Sequence, residues 1–145
     1  KGGKYYYQVV RGVHNSPVKP KRIPKSMGVE RTFKKNLSSE LFLEEKLKNI
    51  AENLEMRLSK NKLAGRTVTL KIKYSDFKKQ TRSTTGNLYL SNKDLILEKV
   101  KVLLYQEKLS NSVRLIGISI SNLNTAKKEN EVKPLIKLSQ LSLAF

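Results

Sequence analysis

Hydrophobic and polar positions alternate in the middle of the chain, between Gly65 and Tyr74. The apolar positions are Val68, Leu70, Ile72 and Tyr74, and the polar positions between them are Thr67, Thr69, Lys71 and Lys73. Because successive side chains of a strand point to opposite faces, this pattern predicts a half-buried strand with one dry face and one cationic face.

A second extended segment follows, and it contains almost no apolar residue. Ser75-Asp76 has the composition of a turn, and residues 78–85 continue as a polar strand that ends at Gly86-Asn87, before a short apolar run over residues 88–90. A strand this polar has to lie beside a well-buried one. We therefore expect a hairpin in which Lys78, Lys79 and Arg82 form an exposed surface.

Two outer segments also alternate. Residues 25–33 predict a first strand, in which Gly28 indicates either a bulge or a close approach to the backbone. Residues 113–123 predict a last strand. In that strand the residues facing the core are Ile116, Ile118 and Ile120, and those facing outwards are Gly117, Ser119 and Ser121.

Two further segments repeat their apolar residues at three- and four-residue steps, which predicts amphipathic helices. The first begins after Ser38 or Ser39, either of which can cap the exposed amides, and it ends near Asn61-Lys62. The second begins at residues 91–94 and fades over residues 107–111. The buried positions are Leu43, Leu47, Ile50, Ala51, Leu54 and Leu58 in the first helix and Ile96, Val100, Leu103 and Leu104 in the second.

The order of elements is therefore β-α-β-β-α-β, which predicts an α+β fold with a four-stranded sheet. Both helices have to cover the same apolar sheet face in order to bury their stripes. The other face is left with small or cationic side chains suited to a sugar–phosphate surface. Base-specific readout is not expected, because this face has no cluster of Asn or Gln and no row of aromatic residues.

Charge supports a polyanionic partner. The net charge is +18, which is typical of proteins that bind nucleic acid or, less often, an anionic membrane. Residues 1–35 hold ten Lys/Arg and one acid, residues 36–62 hold five of each, and residues 63–87 hold six and one. The charge thus falls on the extended segments rather than on the first helix. No apolar run is long enough for a membrane span, so we expect no membrane partner.

The two ends of the chain differ from the middle. Residues 1–24 are interpreted as a connector, because three prolines between Ser16 and Lys25 exclude a helix there. The cations of this connector either follow a phosphate backbone or are simply solvated. Residues 124–145 are interpreted as a flexible tail. The tail ends in an apolar peptide whose anchors are Gln140, Leu141, Leu143 and Phe145, which either docks into a hydrophobic pocket of a partner or folds back on the domain.

The sequence offers no candidate for catalysis. His14 is the single histidine and is interpreted as a solvated side chain, and Asp76 and Asp94 lie apart, in a turn and at a helix start. No nucleophile–base constellation, glycine-rich phosphate loop or paired carboxylates is recognisable. We therefore expect no catalytic residue, no metal site and no cofactor in this chain. The absence of cysteine fits an intracellular, cytoplasmic protein.

Four segments carry a resemblance to a known family. Residues 12–20 resemble the end of the thumb and the tether of Y-family translesion DNA polymerases of the DNA polymerase IV type. Residues 25–33 (Lys-Ser-Met-Gly-Val-Glu-Arg-Thr-Phe), 65–77 and 113–119 resemble the first, second and fourth strands of that family's little finger (polymerase-associated) domain. Separately from these four segments, residues 140–145 are similar to the sliding-clamp-binding peptide of its bacterial members.

The resemblance implies a division into residues 1–24 (end of thumb and tether), 25–123 (little finger) and 124–145 (tail with clamp peptide). It implies primer–template DNA, the sliding clamp and the palm, fingers and thumb of the same polypeptide as partners. The metal-binding carboxylates, and hence Mg²⁺, belong to the palm in that family. Together with Lys71 and Lys73 of the cationic face, the expected DNA contacts are Lys25, Ser26, Met27, Gly28, Arg31, Thr32, Lys79, Gln80, Thr81, Arg82, Ser83, Thr84 and Arg114.

A second class of function remains open at this stage. A free-standing basic domain that binds RNA or associates with the ribosome would have the same charge and the same order of elements. It would leave the peptide at residues 140–145 without a role.

Overall fold

The computed structural model describes residues 2–18, 20 and 22–125 of the 145-residue chain. Its elements are α1 (Gly3–Val9), β1 (Ser26–Leu37), α2 (Glu40–Lys60), β2 (Gly65–Tyr74), β3 (Lys79–Leu90), α3 (Lys93–Tyr105) and β4 (Val113–Leu123). From β1 onwards, this is the predicted β-α-β-β-α-β order. The predicted clamp peptide, residues 140–145, lies outside the described residues.

The four strands form one sheet in the order β1-β4-β2-β3, and every neighbouring pair is antiparallel. The two central strands, β4 and β2, carry the most apolar sequences, so they occupy the positions that are covered on both sides by neighbours. The polar strand β3 lies beside β2, as expected. It forms one edge of the sheet, and β1 forms the other.

Both long helices pack on the same face of the sheet, which confirms the predicted fold class. Helix α2 contacts β1 and β4, helix α3 contacts β2 and β3, and the two helices contact each other. Every predicted stripe residue of the two helices is buried in this layer. The core also contains the inward-facing residues of the central strands, among them Leu70, Ile72, Ile116 and Ile118.

The helix starts differ in how they are capped. The side chain of Asn92 accepts hydrogen bonds from the amides of Asp94 and Leu95, at 2.8 and 3.4 Å, and so satisfies two free donors of α3. Ser39 occupies the corresponding position before α2, but its side chain makes no capping hydrogen bond. The predicted position of the cap is therefore correct, and the predicted side-chain bond is not formed.

Three segments differ from the sequence-based predictions. Strand β3 does not end at Gly86-Asn87: it continues to Leu90, which pairs with Gly65 after a register shift that accommodates the extra residues. Strand β1 runs beyond residue 33, with a second register shift between Thr32 and Leu37. Helix α1, within the predicted connector, had no clear sequence signal, and its three tyrosines are exposed.

Within the described residues, helices are too short or too polar to cross a lipid bilayer. His14, the single histidine, is exposed and lies close to α1. Its Nε2 atom is 3.2 Å from the hydroxyl of Tyr5, and the two rings meet edge to face.

Candidate nucleic-acid interface

The strand register defines the composition of the sheet face opposite the helices, called the open face below. Directly paired residues of antiparallel strands point to the same side. The pairing therefore places four rows of four residues on this face. The rows are Ser26, Ser121, Thr67 and Thr85; Gly28, Ser119, Thr69 and Ser83; Glu30, Gly117, Lys71 and Thr81; and Thr32, Leu115, Lys73 and Lys79.

The first two rows form an uncharged half of the open face that carries short side chains. Hydroxyl groups occupy all of their positions except Gly28. The Thr67 hydroxyl lies 2.8 Å from that of Thr85 and accepts a hydrogen bond of 2.8 Å from the side-chain amide of Asn122. Gly28 sits opposite Ser119 in regular register, and a Cβ atom there would lie 3.0 Å from the Ser119 Cβ. Gly28 thus marks a close approach of strands, not a bulge.

The third row contains an ion pair that crosses the sheet. The Glu30 carboxylate of β1 lies 2.7 Å from the Lys71 ammonium of β2, although β4 runs between the two strands. The residue beneath the pair is Gly117, where a Cβ atom would lie 2.6 Å from the Glu30 Cβ. Because Gly117 has no side chain, Glu30 can lie across β4. Its carboxylate offsets the charge of Lys71, so this row adds little net positive charge to the open face.

The fourth row is the cationic end of the open face. Lys73 and Lys79 pair directly with each other, and neither forms an ion pair within the described part of the chain. Lys78, in the adjacent turn, is 3.1 Å from Asp76. The Lys78 side chain, which hydrogen-bonds that carboxylate, lowers the pKa of Asp76 below its ordinary value.

Arg114 joins this end through a bulge in β4. Leu115 pairs with Lys73 and Val113 pairs with Tyr74, so one extra residue, Arg114, lies between two consecutive pairs. Its guanidinium carbon is 4.9 Å from the centre of the Phe77 ring. Sequence reasoning did not select Phe77, because an aromatic residue in a polar turn has no periodic neighbours.

The prediction that Arg82 lies on an exposed surface is wrong. Arg82 pairs with the core residue Leu70 and points under the helices, where only 6% of it is accessible. Its Nη1 atom donates hydrogen bonds of 2.8 and 2.7 Å to the carbonyl oxygens of Leu103 and Leu104. These are carbonyls of the last turn of α3, which lack partners within the helix. Arg82 therefore caps α3 and is not part of the open face.

Gln80 belongs to the same hydrogen-bond network, which extends from the buried Arg82 to the surface. Its side-chain oxygen accepts hydrogen bonds from the Tyr74 hydroxyl and from Arg82, and its nitrogen donates to Glu107 at 2.7 Å. The Glu107 carboxylate is also 3.8 Å from Arg82. Gln80 thus supports the α3 end of the sheet instead of facing outwards.

Three further predicted residues point to the helix side of the sheet. Thr84 pairs with the core residue Val68, Met27 packs against the core, and Arg31 pairs with Ile116. Arg31 lines a groove of about 600 Å³ between the edge strand β1 and α2. The other cations of that groove are Lys34, Lys46 and Arg57.

The remaining predicted residues lie on or beside the open face. Lys25 is exposed and directly precedes β1, and Arg114 lies at the bulge. The residues on the open face itself are Ser26, Gly28, Thr32, Lys71, Lys73, Lys79, Thr81 and Ser83. In the described ranges, no group of three or more His, Cys, Asp or Glu side chains could hold a metal ion.

Comparison with known proteins identifies the family of this chain. Residues 24–133 match the model of the impB/mucB/samB family C-terminal domain. The chain belongs to this family. It is 36% identical over 141 residues to DNA polymerase IV 2 of Agrobacterium fabrum and 41% identical over 132 residues to DNA polymerase IV of Clostridium perfringens. It is also 39% identical over 131 residues to DNA polymerase IV of Listeria monocytogenes.

The matched regions cover most of this chain but only part of each relative. They include 96% of the chain and 40% of the Agrobacterium protein, and 89% of the chain and 37% of the Clostridium protein. The chain therefore spans about two fifths of the length of these relatives. In each of these relatives, the region that matches this chain is one part of a longer polypeptide.

Proposed function

We propose that this chain is the duplex-binding little finger part of a translesion DNA polymerase of the DNA polymerase IV type, and that it holds primer–template DNA with its open face. The observation that carries the proposal is the composition of that face. Short hydroxyl side chains cover one half and uncompensated cations lie at the other end, while the helices cover only the opposite side. The names of the relatives support a polymerase as the parent protein.

The sheet is wide enough to span the major groove of duplex DNA. Four strands with three spacings of 4.7–4.9 Å are about 14 Å wide between the axes of the edge strands. The major groove of B-DNA is about 12 Å wide. With the open face over the groove, the edges formed by β1 and β3 approach the two phosphate backbones. Lys79 lies on the β3 edge, and Lys25 lies at the start of the β1 edge.

Binding of this kind is largely independent of sequence. Lysine and hydroxyl side chains contact phosphate and sugar oxygens, which are the same at every base pair. Short side chains also let the sheet approach the duplex closely. A polymerase that moves along its template requires contacts of this type.

The chemistry belongs to another part of the proposed parent polypeptide. In this proposal the palm of the parent polypeptide holds the Mg²⁺ required for nucleotide transfer. In the bacterial cytoplasm, this chain holds the DNA duplex and attaches the polymerase to the sliding clamp. The apolar peptide with Gln140, Leu141, Leu143 and Phe145 docks onto the sliding clamp in this proposal.

A competition experiment tests the DNA assignment against the RNA-binding alternative. Labelled primer–template duplex is bound to the chain, and unlabelled duplex DNA or structured RNA of equal length is added. We expect the DNA to displace the label at a lower concentration, because the major groove of A-form RNA is deep and narrow, so its two backbones do not lie at the two edges of the sheet. Displacement by RNA at a lower concentration than by DNA would support the alternative.

Deletion of residues 140–145 tests recruitment separately. We expect the shortened chain to lose affinity for the sliding clamp and to bind duplex DNA as the full chain does. Clamp affinity that is unchanged by the deletion would contradict the peptide assignment and leave the DNA assignment intact.

A further inference from the structure

Phe77 occupies an unusual position in the turn between β2 and β3. Its backbone has a φ of 67°, in the left-handed region that glycine adopts readily and a phenylalanine rarely does. Its side chain is 59% exposed. The turn thus carries a large apolar ring at the surface, at a backbone conformation that disfavours it, beside the cationic end of the open face.

Two cations share this ring. The Lys73 ammonium is 4.6 Å from the ring centre and the Arg114 guanidinium is 4.9 Å from it, both within the range of cation–π attraction. Among the described residues, no carboxylate lies within 4.0 Å of either cation. This distinguishes them from Lys71 and Lys78, which are paired with Glu30 and Asp76.

The arrangement brings like charges together without a neutralising acid. The two cations on this ring repel each other. They also leave most of the ring exposed to water. A bound anion would remove the repulsion and use both charges. The duplex surface presents such an anion at every nucleotide, in the form of a phosphodiester with an apolar sugar edge beside it.

We propose that Lys73, Phe77 and Arg114 form a subsite for one backbone phosphate of the bound duplex. The ring holds the two cations so that both point at the same phosphodiester, and its exposed edge packs against the neighbouring deoxyribose. Phe77 is a positioning residue in this subsite, since its contribution to phosphate binding passes through the two side chains that it holds. The inference rests on the proposed function, because it requires that the open face binds a duplex.

Phe77→Gly separates this role from a structural one. Glycine removes the backbone penalty of the left-handed conformation, so we expect the midpoint of thermal unfolding to stay equal or to rise. We expect affinity for primer–template DNA to fall about fivefold, in line with the loss of two cation–π contacts. The slope of log K against log salt should also become shallower, although no charge has been removed.

Two further variants complete the test. Phe77→Tyr keeps the ring and should bind as the wild type does. Phe42→Ala removes a phenylalanine of nearly the same exposure (60%) from α2, on the opposite side of the sheet, and should leave DNA affinity unchanged. If Phe77→Gly does not fold, Phe77→Leu replaces it, since leucine keeps an apolar side chain but offers no aromatic face.

The outcomes distinguish this inference from the proposed function. If the wild type binds duplex DNA, and Phe77→Gly (or Phe77→Leu) binds it equally tightly with the same salt dependence, the subsite is wrong and the open-face interface stands. If the wild type itself does not bind duplex DNA, the proposed function fails and the subsite fails with it.

Discussion

The Glu30 carboxylate lies 2.7 Å from the Lys71 ammonium, across the intervening strand β4. Both side chains are about half exposed, so the pair contributes little to stability. Its effect is on the electrostatic character of the open face. An acid at the centre of a surface that binds a polyanion weakens the attraction, and Gly117 supplies the space that brings the acid into contact with Lys71.

Removal of this acid should strengthen DNA binding. We expect Glu30→Gln to raise duplex affinity several-fold at low salt and to steepen the salt dependence by about one phosphate contact, because Lys71 becomes available to phosphate. Binding isotherms at several salt concentrations measure both quantities. Glu98→Gln is the matched control, since it also removes one surface acid paired with a lysine, but on α3. Equal gains in the two variants would show that only net charge matters.

Close packing of strands at Gly65 predicts a stability defect. A Cβ atom at this position would lie 2.4 Å from the Ile120 Cγ2 and 2.5 Å from the Ser121 carbonyl oxygen. Because a backbone atom is involved, the clash cannot be relieved by a rotamer change. We expect Gly65→Ala to cost about 3 kcal/mol in urea denaturation. Gly86→Ala, where no atom lies within 4 Å, should change stability by less than about 0.5 kcal/mol.

Arg82 should affect stability and not DNA binding. Arg82→Met keeps an apolar stem but leaves the carbonyls of Leu103 and Leu104 without their donor. We expect a loss of about 2 kcal/mol in the free energy of unfolding, with duplex affinity unchanged at temperatures where the chain is folded. Lys79, an exposed residue of the same strand, is the matched control. Lys79→Met should preserve stability and weaken DNA binding. A weaker complex for Arg82→Met would place that guanidinium on the interface after all.

An acid at the contact of the two helices makes stability depend on pH. Glu44 of α2 is 2.7 Å from the Lys101 ammonium and accepts a 2.6 Å hydrogen bond from the Tyr105 hydroxyl, both on α3. The hydrogen bond from Lys101, followed by that from Tyr105, lowers the pKa of Glu44. A lowered folded-state pKa contributes stability that is complete above the ordinary carboxyl pKa and is lost as the pH falls through the folded-state value.

We therefore expect stability to decrease as the pH is lowered below about 4.3, the ordinary pKa of a glutamate, and this decrease to be smaller in Glu44→Gln. The same variant should lower the pKa of Tyr105, which the hydrogen bond to Glu44 raises above its ordinary value. Denaturation at a series of pH values and spectroscopic titration of the tyrosines measure the two effects. Identical acid profiles of variant and wild type would contradict this role of Glu44.

The sequence predicted those parts of the fold in which apolar and polar positions repeat regularly. The alternation of β2 and β4 identified their inward and outward residues, and the two helical stripes identified the core. Strand β3 has no such regular pattern, because nearly all of its residues up to Asn87 are polar. In a strand of Lys, Gln, Thr, Arg and Ser, either set of alternate residues could face outwards, and so Arg82 was assigned to the wrong side.

Contacts between segments that are distant along the chain could not be predicted from the sequence either. The pair formed by Glu30 and Lys71 depends on the strand order, which places β4 between β1 and β2. The cluster at Phe77 depends on a one-residue bulge at Arg114 and on a left-handed turn residue. Neither feature leaves a periodic signal. What the sequence did indicate, from charge and face composition, was the existence and the general location of a cationic surface.

The salt dependence of duplex binding tests the central claim most directly. If the open face and its cationic end hold phosphates, log K of the wild type should fall linearly with log salt, by about 0.9 for each phosphate neutralised. Replacement of Lys73, Lys79 and Arg114 by Ala together should reduce that slope by about 1.8 while the chain stays folded, because Lys73 and Arg114 share one phosphate and Lys79 contacts another. An affinity that hardly changes between about 50 and 200 mM salt, or a slope unaffected by the triple substitution, would contradict the account.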